Sequence, residues 1–117
     1  MLSLIVDISC YLADATKRRN ISATRSSAVG ESNFETHQII DKAVDGNTPT
    51  VVTISMMSGN KLTVIHTKGE VEASFTVGLD DYTIPVKSDL VLSTNLSALT
   101  LSNADTSNDV EVTVIQI

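Results

Sequence analysis

Aromatic residues make up only 3% of the 117-residue chain, and tryptophan is absent. The core must therefore be built from branched aliphatics packed on pleated surfaces, and there is little stock of rings on which bases or sugars stack. Basic residues are also scarce: eight Lys and Arg stand against fourteen Asp and Glu, a net charge of −6. That balance opposes phosphate backbones and anionic membrane surfaces, so neither nucleic acid nor membrane is an expected partner. The one basic cluster, Lys17, Arg18 and Arg19, is shorter than the patches nucleic-acid binders use and reads as a solvated turn. A single cysteine, Cys10, excludes an intramolecular disulfide and a multi-cysteine zinc site. It reads as a small apolar residue at a strand end. No run approaches the ~18 apolar residues of a membrane span. The opening MLSLIVDISCYLADA has no basic residue ahead of its apolar run and is interrupted by Asp7, so it is not read as a secretion signal.

What is abundant is Val, Ser and Thr in short alternating runs, and at this length one domain is expected. Leu2, Leu4, Val6, Ile8 and Cys10 alternate as in a half-buried strand. Residues 11–19 contain better helix formers and predict one or two helical turns or a long loop. Residues 20–27 predict an edge strand, 26–33 a loop and 34–42 a further strand. Asp45, Gly46, Asn47, Thr48 and Pro49 form the strongest turn signal. Residues 51–57 and 62–67, separated by Ser58, Gly59, Asn60 and Lys61, read as a hairpin. With residues 71–77 they predict an antiparallel meander. Pro85 cannot donate to a ladder, which assigns residues 82–86 to a sheet edge or to the entrance of the following strand. Leu90 to Leu101 supplies inward leucines, 102–109 is a polar loop, and Val110, Val112 and Val114 share one face of the last strand. Ile115 and Ile117 fall on the opposite face, so either a bulge resets the register or both faces are covered at this end. Eight or nine short strands with regular turns describe an all-β protein, an antiparallel β-sandwich or jelly roll. Residues 1–30 form an N-terminal strand and extended arm, and 31–117 form the sandwich.

Candidate chemistry is sparse. His37 and His66 would need to converge with carboxylates such as Glu35 or Asp41 to bind a metal, and nothing in the spacing forces this. Asp80, Asp81, Asp105 and Asp109 lack the regular spacing of a calcium loop and fit turn chemistry. No nucleophile elbow or phosphate cradle is present, and the sequons at Asn20 and Asn95 lack a secretion signal beside them. No enzymatic activity and no cofactor are expected.

One resemblance emerges from residues 36–117. The stretch HQIIDKAVDGNTPTVVTISM, the hairpin-like GNKLTVIHTKG and the closing DLVLSTNLSALTLSNADTSNDVEVTVIQI together resemble the small all-β structural proteins of tailed bacteriophages. In those chains a Leu-Thr-Val strand precedes a Leu-x-x-Leu-x-Leu-x-Asn strand, a polar loop and a valine-rich strand. The matching positions are Leu62, Thr63 and Val64, then Leu96, Leu99, Leu101 and Asn103, then Val110 to Val114.

The resemblance implies a virion component made in the host cytoplasm. It would be a capsid decoration or cement protein, or alternatively a tail-associated adaptor, fibre or host-recognition module. Its expected partners are the major capsid protein or other virion proteins, and copies of itself in a symmetric homo-oligomer such as a trimer. Excess apolar residues at Ile5, Val91, Ile115 and Ile117 are the expected oligomer contacts. Tyr11, Leu12, Lys17, Arg18 and Arg19 are the expected capsid-contacting part of the arm. In the host-recognition reading, Tyr82 and the loop 103–109 would contribute instead.

Overall fold

The computed structural model describes residues 2–13, 18–29 and 34–117, and every regular element among them is a β-strand. The chain divides into two compact units, Met1–Glu31 and Ser32–Ile117.

The first unit is a two-stranded antiparallel sheet of β1 (Leu2–Ala13) and β2 (Arg18–Val29). Its register runs without a break from Leu2 opposite Val29 to Ala13 opposite Arg18. The helix or loop expected over residues 11–19 is therefore replaced by strand up to Ala13 and again from Arg18. Helix propensities differ by only a few tenths of a kcal/mol per residue, and so short a stretch carries the whole nucleation cost. Twelve paired positions outweigh that preference. The strand expected at 20–27 likewise lengthens at both ends.

The second unit holds eight strands: β3 (Phe34–Ile40), β4 (Thr50–Ile54), β5 (Thr63–Thr67), β6 (Val71–Val77), β7 (Asp80–Val86), β8 (Asp89–Leu92), β9 (Ala98–Asn103) and β10 (Val110–Gln116). They form two four-stranded antiparallel sheets, ordered β3-β10-β5-β8 and β4-β9-β6-β7. The pairings β3 with β10, β4 with β9, β5 with β8 and β6 with β7 are nested. The second unit is thus one long antiparallel ribbon that doubles back at β6–β7. Rolling the ribbon adds the pairings of β10 with β5 and β9 with β6, which close the two sheets. This is the strand order of an eight-stranded jelly roll.

The expected 51–67 hairpin and 51–77 meander are not formed. β4 and β5 belong to different sheets, as do β5 and β6. Residues 55–62 cross one end of the sandwich instead of turning tightly, and Asn60, at 1% exposure, anchors the crossing. Its side-chain amide donates to the carbonyls of Leu96 and Met57, and its Oδ1 accepts from the Leu96 N–H. The tight hairpin is β6–β7, where Gly78 at φ 63° and the fully exposed Leu79 join Val77 to Asp80. Positive φ at the first central residue marks a type II′ turn, whose twist matches the strands. β7 lies at a sheet edge, where Pro85 leaves no interior ladder bond unmade.

The inner faces alternate as read from the sequence. Val110, Val112 and Val114 of β10 are buried against Ile65, Leu99 and Leu101. β10 keeps its register with both neighbours through residue 116, so no bulge intervenes. Side-chain amides seal the two ends of the sandwich. At one end Gln116, fully buried, accepts from the Met57 N–H and donates to the Ser55 carbonyl. At the other, fully buried Asn103 donates toward the carbonyls of Ile40, Asp41 and Asn108 and accepts from the Asp105 N–H.

Asn103→Ala strands several buried backbone groups, each costing about 1–3 kcal/mol when left unpaired. Urea denaturation should show a loss of roughly 2–4 kcal/mol with an unchanged slope. A loss below about 0.5 kcal/mol, the ordinary surface value, would contradict the anchoring role.

Candidate functional site

The side chains of β10 that point away from the core are Glu111, Thr113 and Ile115, since the inward ones alternate as Val110, Val112, Val114 and Gln116. Because β10 lies between β3 and β5, its outward residues sit in the middle of a four-stranded surface. Two cross-strand rows follow from the register. One reads Glu35, Ile115, Val64 and Val91 across β3, β10, β5 and β8. The other reads His37, Thr113, His66 and Asp89. Val64, Val91 and Ile115 are half-buried, and Ile39, also on this face, is 62% exposed.

Two of the four residues expected at an oligomer contact, Val91 and Ile115, are therefore brought together, with Val64 between them. Val64 was not expected at this contact, because only strand order makes it a neighbour of Ile115; Ile39 lies opposite Glu111, further along the same face. Ile117 follows β10 with its backbone paired to Leu62 in both directions. Ile5 lies on β1, opposite Ser26, in the other unit. Of the expected arm contacts, Tyr11 and Leu12 lie opposite Asn20 and Arg19, and Arg18 opposite Ala13, in the β1–β2 sheet. Lys17 lies outside the described residues.

The polar side chains of the outer face are paired with one another. His37 Nε2 is 3.1 Å from Glu35 Oε1, and its Nδ1 is 2.9 Å from Thr113 Oγ1. His66 Nδ1 lies 2.7 Å from Asp89 Oδ1, and Lys68 Nζ lies 3.3 Å from Glu111. The hydrogen bond with His66, with help from Ser88, holds the Asp89 carboxyl below its ordinary pKa. His37 and His66 flank Thr113, two strand spacings or about 10 Å apart, so they do not meet on one ion. Among the described residues no group of three or more His, Cys, Asp or Glu is arranged to hold a metal.

The outer face of the second sheet differs in chemistry. A hydroxyl row, Thr53, Thr100, Ser74 and Thr83, crosses it, with Ser74 Oγ and Thr83 Oγ1 3.1 Å apart. Glu72 and Asp81 flank the row, and Asp81 accepts from Thr76 Oγ1. All three ion pairs among the described residues lie on the first face.

Tyr82, 48% exposed, stacks on Phe75 with ring centroids 5.6 Å apart. It lies opposite Phe75, and Phe75 lies opposite Leu99. The loop 103–109 begins four residues further along β9, roughly 13 Å away at strand rise, so Tyr82 and that loop are not brought together. The loop acids serve turns. Asp105 accepts from the N–H groups of Ser107 and Asn108 and from the Asn108 amide, and Asp109 accepts from the Lys42 N–H. Asp45 accepts from the Asn47 N–H.

The same backbone donors hold Asp105 and Asp45 below the usual carboxylate range, Ser107 being the main cause for the first and Asn47 for the second. A carboxyl depressed in the fold contributes stability above its unfolded pKa and loses it as pH falls through the folded value. Thermal stability should therefore decline below about pH 4. Asp105→Asn should flatten that decline, measured as melting temperature against pH. An acid profile identical to the wild type would contradict the assignment.

Compared with protein-family models, with characterised proteins and with solved structures, the chain matches none.

Proposed function

We propose that this chain is a non-enzymatic structural component of a tailed-phage virion. In this reading it is a capsid decoration or cement protein that binds the outer capsid and stabilises it through repeated subunit contacts. The observation that carries the reading is the closing strand β10. It is central in its sheet, in unbroken register, and apolar on both sides at Val114 and Ile115. A lone sandwich needs only the inner side covered, so the outer apolar row suits a body that works by contact with other subunits.

Two further observations support it. The jelly roll is a common architecture of capsid domains, although a fold alone does not assign function. Charge is also divided between the two units. All three arginines lie within residues 1–31, whereas residues 32–117 carry eleven acids against four lysines, leaving −7. The first unit, with four bases against three acids, suits an arm that engages an acidic partner. Weak arm contacts repeated around a symmetry axis add up by multivalency.

Counting copies of the chain in purified particles by quantitative mass spectrometry tests the reading. Decoration predicts on the order of hundreds of copies, set by capsid symmetry, whereas a tail adaptor or fibre subunit predicts six to a few dozen. Absence from the particle would refute both.

A further inference from the structure

We propose that an open depression on the outer face of the β4-β9-β6-β7 sheet binds a neutral polyol, a single pyranose ring held through its hydroxyls. The inference does not depend on a virion role.

The depression has a volume of about 270 Å³ and spans β9, β6 and β7. Two cross-strand rows make its surface: Thr100, Ser74 and Thr83 in one, Ala98, Thr76 and Asp81 in the other. Ser74, Thr76 and Thr100 are half-buried and form the floor, while Asp81 and Thr83 are exposed along the edge strand. Ala98 ends in a methyl group where its neighbours carry longer polar side chains, which leaves the floor open on that side. Phe75 and Tyr82 also line the depression, but strand alternation turns their rings to the inner side, where they stack on each other.

Pairs across β6 and β7 hold the polar groups in place and leave them capacity for a ligand. Thr76 Oγ1 donates to Asp81 Oδ1 at 2.6 Å, and Ser74 Oγ lies 3.1 Å from Thr83 Oγ1. An ionised carboxylate offers about four acceptor sites, of which Thr76 takes one. Whichever hydroxyl of the Ser74–Thr83 pair donates to the other, the second O–H stays uncommitted within the pair. Thr100 supplies a further hydroxyl one strand away, at ~4.8 Å spacing. The surface thus sets a carboxylate acceptor beside hydroxyls that both donate and accept. Adjacent hydroxyls of a sugar ring are its complement, since each can donate to one group and accept from another.

Other small ligands fit the same groups poorly. Anions are repelled by Asp81, by Glu72 two residues before Ser74 on the same face, and by the excess of eleven acids over four lysines in residues 32–117. A calcium ion takes about six to eight oxygens, and the depression holds one carboxylate. An apolar ligand would bury a carboxylate and hydroxyls without partners. Sites for drug-sized molecules measure roughly 300–1,000 Å³, so a smaller, open one suits a single ring. With no ring to stack on, recognition is by hydrogen bonds that replace those to water at small net gain, and binding is millimolar. Copies held side by side would add such weak contacts together.

The test is an amide-resolved NMR titration of the full chain with the methyl α-pyranosides of glucose, galactose and mannose, and with glycerol as a control. At least one glycoside should give saturable shifts centred on Ser74, Thr76, Asp81, Thr83 and Thr100, with a millimolar Kd. Asp81→Asn keeps the shape, removes the charged acceptor and should weaken binding about tenfold. Thr83→Val should also weaken it, and Thr83→Ser should restore it. Glu111→Gln, which removes an acid from the opposite sheet, should leave Kd unchanged. The same spectra report whether each variant is folded, and the wild-type titration stands without any variant. No saturable shift with any of the three glycosides overturns the proposal, and so does saturation centred elsewhere. Shifts reproduced by glycerol at equal concentration, an unselective polyol effect, or a Kd indifferent to both Asp81→Asn and Thr83→Val, overturn it equally.

Discussion

The structure of the body depends on the pairing of β10 on both sides. Seven residues of one strand supply the ladder that joins β3 to β5, and without it the first sheet is two separate edges. The same strand buries three valines, each contributing about 1.5–3 kcal/mol when removed from water. It also ends on Gln116, whose amide ties the 55–62 crossing to the sheet. Pairing, core and end closure thus converge on one strand. Its outward side chains are fixed in place as a consequence, which is why a surface row as orderly as Ile115, Val64 and Val91 exists.

Much of this was legible in the sequence, and the part that was not has a common cause. Alternation located the strands, Pro85 marked the edge, and the odd placement of Ile115 after Val114 pointed to a second apolar side. Those signals are local, set by the two-residue period of a strand. Strand order is not local. Residues 51–57 and 62–67 look like a hairpin because a Gly-Asn pair sits between them, yet buried Asn60 uses that loop to bridge the sandwich. The nested pairing of β3 with β10 joins residues 70 to 82 positions apart, and no short-range pattern encodes it. The candidate face was hidden for the same reason: His37, Thr113, His66 and Asp89 become one row only after the ribbon is rolled. Residues 11–13 and 18–19 went the other way, a weak helical preference overridden by strand pairing.

The two sides of the sandwich divide the work expected of a structural subunit. One is a hydroxyl and acid surface that favours solvent. The other holds its acids in hydrogen bonds and an ion pair within the face and carries a row of branched aliphatics. The charge is separated along the chain, with the arginines in the two-stranded unit and the acids concentrated in the jelly roll. Neither side presents a convergent catalytic group among the described residues, and the account rests on surface complementarity.

The central claim is that the two-sided pairing of β10 holds the body together. Native-state hydrogen exchange of the full chain measures this directly. The account predicts that the β10 amides exchange only as the whole body unfolds, more slowly than those of the edge strands β7 and β8. Amides of β10 that exchange as fast as those of β7 and β8 would contradict it.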